Sequence, residues 1–414
     1  MSQFRFAPIA VLLAAIGLNM APALVGVSTA AYAQSMRPEL GKPLQAAQDL
    51  IKSKKYKDAL AKIREADAVA NKTPAEIFTI ERMRGSAAAS AGDTATAARS
   101  FEAVIESGKL PPGEQLKYIQ AVAGMFYSNH DYAKATTWLT RYQKEGGTDP
   151  AMRALLVQTY YQGGNYSLAL KEVQATVRAE EKAGRAPSIE QLELLANCVS
   201  KTGDKAGYAS AMEKLVSYYP KKEYWAQLLN RVQAKPGFSD RLSLDVYRLK
   251  LAVGQLTSTS DYMEMSQLAL QSGLSAEATK IIDQGYKLGA LGTGTDGPRH
   301  QRLRDLAIKN AAEDLKTAAQ SEAEAAQNKD GTGLVNLGYN YVTAGKFDKG
   351  IPLMEKGMKG ELKRPDDAKL HMGIAYLLAG KKNLAVQTFK GVQGTDGTAD
   401  LARYWVMQSN RPIS

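Results

Sequence analysis

The spacing Gly292-x-Gly294-x-x-Gly297 is the pattern in this chain closest to a chemical motif. Glycines so placed let backbone amides approach a dinucleotide pyrophosphate, provided a strand leads in and a helix N-terminus follows. Here the preceding stretch, Ile281 to Leu291, reads as the end of a helix. No alternating or β-branched run lies nearby, and no P-loop lysine follows, so a flexible link is expected. His130, His300 and His371 are the only histidines, in a turn, a link and a helix, and no His/Cys/Asp/Glu cluster has metal-ligand spacing. Structural roles are expected for all three. Cys198, the single cysteine, cannot form an internal disulfide and sits in a helical run as a small buried apolar residue. Ser258–Ser260 lack a nucleophile-elbow context. The acid pairs Glu180-Glu181 and Asp366-Asp367 fall in connectors, where solvated or helix-capping charges are expected. No catalytic, metal or cofactor site is expected.

The elements that would position any functional group are helices. Leu334 to Gly357 holds a complete two-helix hairpin. Leu334, Leu337, Gly338 and Tyr341 share one helical face, and Ala344-Gly345 ends the first helix. Gly350, Met354 and Gly357 mark one face of the second. The unit recurs. Small residues that open the second helix are Ala59, Ala97, Ala135, Ala169, Tyr208 (with Ala209 beside it), Ala278, Gly350 and Ala385. Their separations are 38, 38, 34, 39, 70, 72 and 35, and each large gap is close to two units. Twelve residues upstream of each stand Ala47, Gly85, Ala123, Val157, Ala196, Ser266, Gly338 and Gly373. Four residues downstream stand Ile63, Phe101, Leu139, Val173, Met212, Ile282, Met354 and Phe389. Small residues are expected to let the two helices of a hairpin touch. The large ones are expected to fill the space against the next hairpin.

This spacing resembles the tetratricopeptide repeat, a helix-turn-helix of 34 residues. The residues that carry the resemblance lie in Leu334–Gly357, Leu370–Val392 and Ala151–Val177, and Pro220 falls where that family closes its second helix. The resemblance covers most of residues 38–409. No Trp occupies the family's usual first-helix site, and several units are lengthened. The fold it implies is an all-α solenoid of tetratricopeptide-like hairpins. The function it implies is a binding scaffold.

The expected organisation starts with a signal peptide over 1–33. Arg5, an apolar run from Ala7 to Leu18 and Ala31-Tyr32-Ala33 point to cleavage after Ala33, the alternative being an uncleaved anchor. A solenoid of about seven units follows over 34–288, with hairpins near 38–71, 77–110, 115–148, 149–187 and 188–220. A degenerate unit spans 221–257, with Ser239 or Asp240 available to cap its second helix. The glycine-rich link 289–297 is a candidate hinge. A long helix over 298–330 precedes two further units and a helix covering the end of the stack in 331–414.

The formal net charge of +11 favours anionic partners. Export then argues against nucleic acid. The chain is expected in the periplasm or secreted, with no stable membrane span after cleavage. First-helix residues pointing away from the hairpin cores form the candidate groove: Arg82, Lys117, Gln120, Tyr127, Gln158, Tyr161, Gln162, Asn197 and Lys201. The Lys and Asn clamp with which some family members hold a terminal carboxylate has no full counterpart here. Two functions are expected of this chemistry. The first is a non-enzymatic periplasmic scaffold binding another protein or peptide in its concave groove, for instance in envelope assembly. The alternative is a module binding an anionic envelope polymer.

Overall fold

The computed structural model of the protein describes residues 36–327 and 330–410. The expected signal segment and its cleavage site lie outside these residues. Among the described residues the chain forms twenty α-helices and one 3-10 turn, and the one β-type pairing is an isolated bridge between Asp330 and Glu361. The fold is the expected all-α array of helical hairpins. It divides into two compact units, one ending at Asp204 and one beginning at Lys205.

The first unit pairs α1 (Pro38–Lys52) with α2 (Tyr56–Asp67), α3 (Pro74–Ala91) with α4 (Thr94–Glu106), α5 (Pro112–Ser128) with α6 (Tyr132–Lys144), and α7 (Pro150–Gln162) with α8 (Tyr166–Lys182). Helix α9 (Ile189–Lys201) closes this unit. Each helix packs on its neighbours in sequence, which is the order of a solenoid. The starts are encoded locally. Thr73 and Ser188 form reciprocal capping boxes with Glu76 and Gln191, while Asp93 and Asp131 accept from Thr96 N and Lys134 N. Arg37 grips the Glu76 carboxylate through two nitrogens at 3.0 and 3.1 Å, tying the start of α1 to the start of α3.

The second unit comprises α10 (Lys205–Tyr218), α11 (Lys222–Gln233), a 3-10 turn (Asp240–Leu242), α12 (Ser243–Ala252), α13 (Thr259–Gln271) and α14 (Ser275–Lys287). Next come α15 (Gly297–Gln327), α16 (Thr332–Thr343), α17 (Phe347–Gly357), α18 (Pro365–Leu378), α19 (Lys382–Lys390) and α20 (Thr398–Asn410). The two helices expected in 221–257 are α11 and α12. Their cap differs from expectation. No side chain caps the 3-10 turn or α12, and the Ser239 amide instead donates to the Asp396 carbonyl at 3.0 Å.

All eight upstream residues, seven of them small, and all eight downstream large ones are buried, and so are seven of the eight anchors. Tyr208 is the half-buried exception, its hydroxyl donating to Gln227 at 3.0 Å. The large residue does more than fill space against the next hairpin. A Cβ at Gly85 would run into the Phe101 ring, one at Gly373 into Phe389, and one at Gly338 into Met354. Each large side chain therefore lies on the small residue of its own hairpin. Phe101 then turns an edge to Tyr118 of α5 at 5.1 Å, and Phe389 stacks on Trp405 of α20 at 6.2 Å. In α16 and α17 the backbones themselves meet: a Cβ on Gly350 would sit 2.5 Å from the Gly338 carbonyl oxygen.

A further column was not anticipated. Five residues before each anchor the chain takes a left-handed conformation, at Lys54, Gly92, His130, Gly164, Gly203, Gly273, Gly345 and Gly380. Glycine holds six of these eight places because it alone carries no Cβ penalty there.

The end of the second unit also differs from expectation. Helix α20 packs on α18 and α19 and returns to α12, so it bridges the stack rather than covering an open end. Arg403 meets Glu213 at 2.8 Å, Lys235 meets Asp400 at 2.7 Å, and Arg241 is held between Asp367 and Asp396 at 2.6 and 2.7 Å. The 289–297 segment lies inside this unit, spanned by these contacts. There His300, buried, accepts the Gly292 amide at 3.1 Å.

Candidate functional site

The structure sorts the nine candidate groove residues by what they already hold. Arg82 on α3 reaches Glu114 on α5 at 3.4 Å. Gln120 on α5 donates to the Tyr142 hydroxyl at 3.0 Å and to Asp149 at 3.3 Å, joining its hairpin to the start of α7. Asn197 donates to the carbonyl of Glu193, one turn back in its own helix. Arg82 and Gln120 are engaged in holding the array, and Asn197 in its own helix. Lys117, Gln162 and Lys201 are exposed, and Gln158, Tyr127 and Tyr161 are half-buried.

Tyr127 and Tyr161 occupy equivalent places in two successive first helices, each eight residues before its second-helix small residue, Ala135 and Ala169. In the next first helix that place is Ser200, and Lys201 stands beside it. Tyr127 packs edge-on against Tyr132 at 5.6 Å, and Tyr161 edge-on against Tyr166 at 5.4 Å. Lys201 Nζ lies 5.7 Å from the centre of the Tyr166 ring. Burial pushes both first-helix phenols above their ordinary pKa, so they remain neutral donors at physiological pH. Tyr132 and Tyr166 each open a second helix and also touch the end of the following first helix, at Gly163 and Lys201. They set the register between hairpins, and that register aligns Tyr127 with Tyr161 and brings Lys201 over the Tyr166 ring. A shallow depression beside it is lined by Gly164–Leu168 with Lys201 and Thr202, and Leu168 at its rim is 47% exposed.

One polar cluster escaped the sequence reading. In the second unit, Asp245 and Arg248 of α12, Glu277 of α14, Tyr339 of α16 and His371 of α18 converge. Arg248 donates to both Glu277 oxygens, at 2.8 and 2.6 Å, and to Asp245 at 2.6 Å. His371 Nε2 lies 3.0 Å from Asp245, and its ring stacks on Tyr339 at 4.9 Å. Arg248 lies 5.0 Å over the same tyrosine. Burial alone would raise the Asp245 carboxyl. The charges of His371 and Arg248 and their hydrogen bonds outweigh it and hold the group at about 2. Two carboxylates and an imidazole are metal-ligand types, but here a guanidinium occupies the cation's place. Among the described residues no group of three or more His, Cys, Asp or Glu is arranged to hold a metal. The faint signal in sequence was Asp245 and Arg248, one turn apart on the inner face of a helix.

The remaining motifs resolve structurally. The Gly292–Gly297 pattern follows helix α14 rather than a strand, and its first amide is used by His300. His130 takes the left-handed turn between α5 and α6, with Nδ1 2.9 Å from the Tyr132 hydroxyl. Cys198 is fully buried, which pushes its thiol up to about 12. No helix among the described residues is long and apolar enough to cross a membrane.

No protein-family model matches the chain, and no curated protein matches it. Among solved structures it is similar to yeast Tom70, at 13% identity over 92% of this chain and 96% of that one, with a TM-score of 0.25. It is similar to the TPR domain of P58(IPK), at 14% identity over 90% and 97%, with a TM-score of 0.23. The Naa15/Naa10 complex bound to HypK-THB aligns at 14% identity over 95% of this chain and 63% of that one, with a TM-score of 0.30.

Proposed function

We propose that the protein is a non-enzymatic interaction scaffold, exported to the periplasm or secreted, that binds an extended segment of another protein along the first helices of its first unit. The observation that carries this reading is the pair Tyr127 and Tyr161, which recur at one place of the repeat, with Lys201 beside that place in the next first helix. Neighbouring rings hold the two tyrosines in position. Rings fixed before binding lose little conformational freedom on binding, so their contacts count nearly in full. The flanking Lys117, Gln158 and Gln162 offer hydrogen bonds to a peptide backbone. Export rests on residues 1–33, and a role in envelope assembly on export joined to a binding scaffold.

The test is affinity capture from an envelope extract with the wild-type protein and with a Tyr127→Ala/Tyr161→Ala/Lys201→Ala variant. A specific partner retained by the wild type and reduced about tenfold or more by the variant is expected, corresponding to at least ~1.4 kcal/mol. Equal recovery by both would overturn the reading. The net charge of +11 favours an anionic envelope polymer as the alternative ligand. That ligand would be lost steeply as salt rises, since exposed charges are screened over about 8 Å at physiological ionic strength.

A further inference from the structure

Helix α15 is the longest in the molecule among the described residues, with 31 residues, and its charges run against its own dipole. Its N-terminal part, 297–309, carries Arg299, Arg302, Arg304 and Lys309 against Asp305 alone. Its C-terminal part, 310–327, carries Glu313, Asp314, Glu322 and Glu324 against Lys316 alone. A helix stabilises acidic groups at its start and basic groups at its end. This helix has the reverse, so the segregation does not serve the helix in isolation.

The same helix leaves an apolar seam uncovered. Its buried residues, His300, Ala307, Ala318 and Ala325, face the rest of the second unit. On an adjacent face, Ile308 is 47% and Leu315 54% exposed, and Ala312 and Ala319 are exposed with them. The spacing of these four is four, three, four, the repeat with which two helices pair along a seam. Large and small residues alternate along it.

We infer that this face pairs with α15 of a second copy of the chain, antiparallel and about a two-fold axis. Antiparallel pairing sets Ile308 over the second copy's Ala319 and Ala312 over the second copy's Leu315, so each large side chain meets a small one. It also lays the basic part of each helix along the acidic part of the other, twice over by symmetry. Parallel pairing would place like charges together and Leu315 on Leu315. One helix seam buries less than the ~800 Å² per partner of a standard interface, so the dimer is weak and dissociates on dilution.

Sedimentation of the full chain tests this from about 5 to about 500 μM, the range in which so small a seam associates. The wild type should pass from monomer to dimer, and Leu315→Glu, a substitution at an exposed site, should remain monomeric with unchanged helix content. Raising the salt tenfold should weaken the wild-type dimer, because its charge complementarity is exposed. Register is read by mixing an Ile308→Cys protein with an Ala319→Cys protein under oxidation. The mixture should cross-link and neither protein alone should, because like positions lie about 16 Å apart along the axis, beyond disulfide reach. Cys198, buried with its thiol pushed up to about 12, stays silent. A wild type that is monomeric throughout, a dimer indifferent to Leu315→Glu, or Ile308→Cys cross-linking to itself as fast as in the mixture would each overturn the inference.

Discussion

Replacing Gly350 by alanine should destabilise the second unit, although alanine is the better helix former. A Cβ at Gly350 would lie 2.5 Å from the Gly338 carbonyl oxygen, 2.8 Å from Val342 N and 2.8 Å from Val342 Cγ2. Two of these three atoms are helix backbone. Relief therefore means moving α17 away from α16, and that unseats Met354, which is fully buried. Overpacking of this kind costs about 1–3 kcal/mol, and the rigid neighbours put Gly350 at the upper end. The helix-propensity gain of about 1 kcal/mol offsets part of that, leaving a net loss of ~2 kcal/mol. For a unit of this size the melting midpoint should fall by about 4–8 °C. Gly124, inside α5, is the control. A Cβ there meets nothing within 4 Å, so Gly124→Ala should keep its propensity gain and raise the first unit's stability by about 0.5–1 kcal/mol. Calorimetry and helical circular dichroism on both variants read the two signs. A Gly350→Ala protein that melts at or above the wild type would refute the close-approach argument.

Three other outcomes are expected. Gly373→Leu and Ala135→Leu, both at sealed contacts, should each lower stability by about 1–3 kcal/mol in urea titrations, and unchanged midpoints in both would break the repeat alignment. Protease should cut the 289–297 segment first, yet the two pieces should elute together, because Arg241, Arg403 and His371 join residues on either side of it; pieces that separate without denaturant would contradict those contacts. The Asp245 carboxyl is depressed in the folded state, to about 2, against ~3.9 in an unfolded chain. Its contribution is therefore present above pH ~4 and is lost as pH falls towards ~2. Asp245→Ala should cost about 1–3 kcal/mol at neutral pH by leaving one Arg248 nitrogen and the His371 ring without their acceptor while Glu277 still pairs the guanidinium, and should flatten the wild type's acid decline between pH ~4 and ~2. A parallel decline in both proteins would count against the cluster.

The packing columns were readable because they obey a local rule: a small residue under a large one sixteen positions later, as in Gly85 with Phe101 and Gly373 with Phe389. The left-handed column was equally present in the residues. It went unseen because Lys54 and His130 stand where six glycines mark the turn elsewhere. What could not be read was contact between distant helices. Nothing local to Arg241 announces Asp367 and Asp396, and nothing near Asp245 announces His371, 126 residues away. The return of α20 to α12 depends on such pairs, so sequence suggested a terminal cover where the structure has a bridge. The groove was legible in part. Periodicity identified the outward first-helix positions, but it could not show that Arg82 and Gln120 would be drawn into bonds between neighbouring hairpins.

Hydrogen exchange on the complex with the captured partner tests the central claim most directly. New protection is expected in α5, α7 and α9 around Tyr127, Tyr161 and Lys201, with α4, α6 and α8 unchanged. Protection confined to those second helices, or to the second unit, would contradict it.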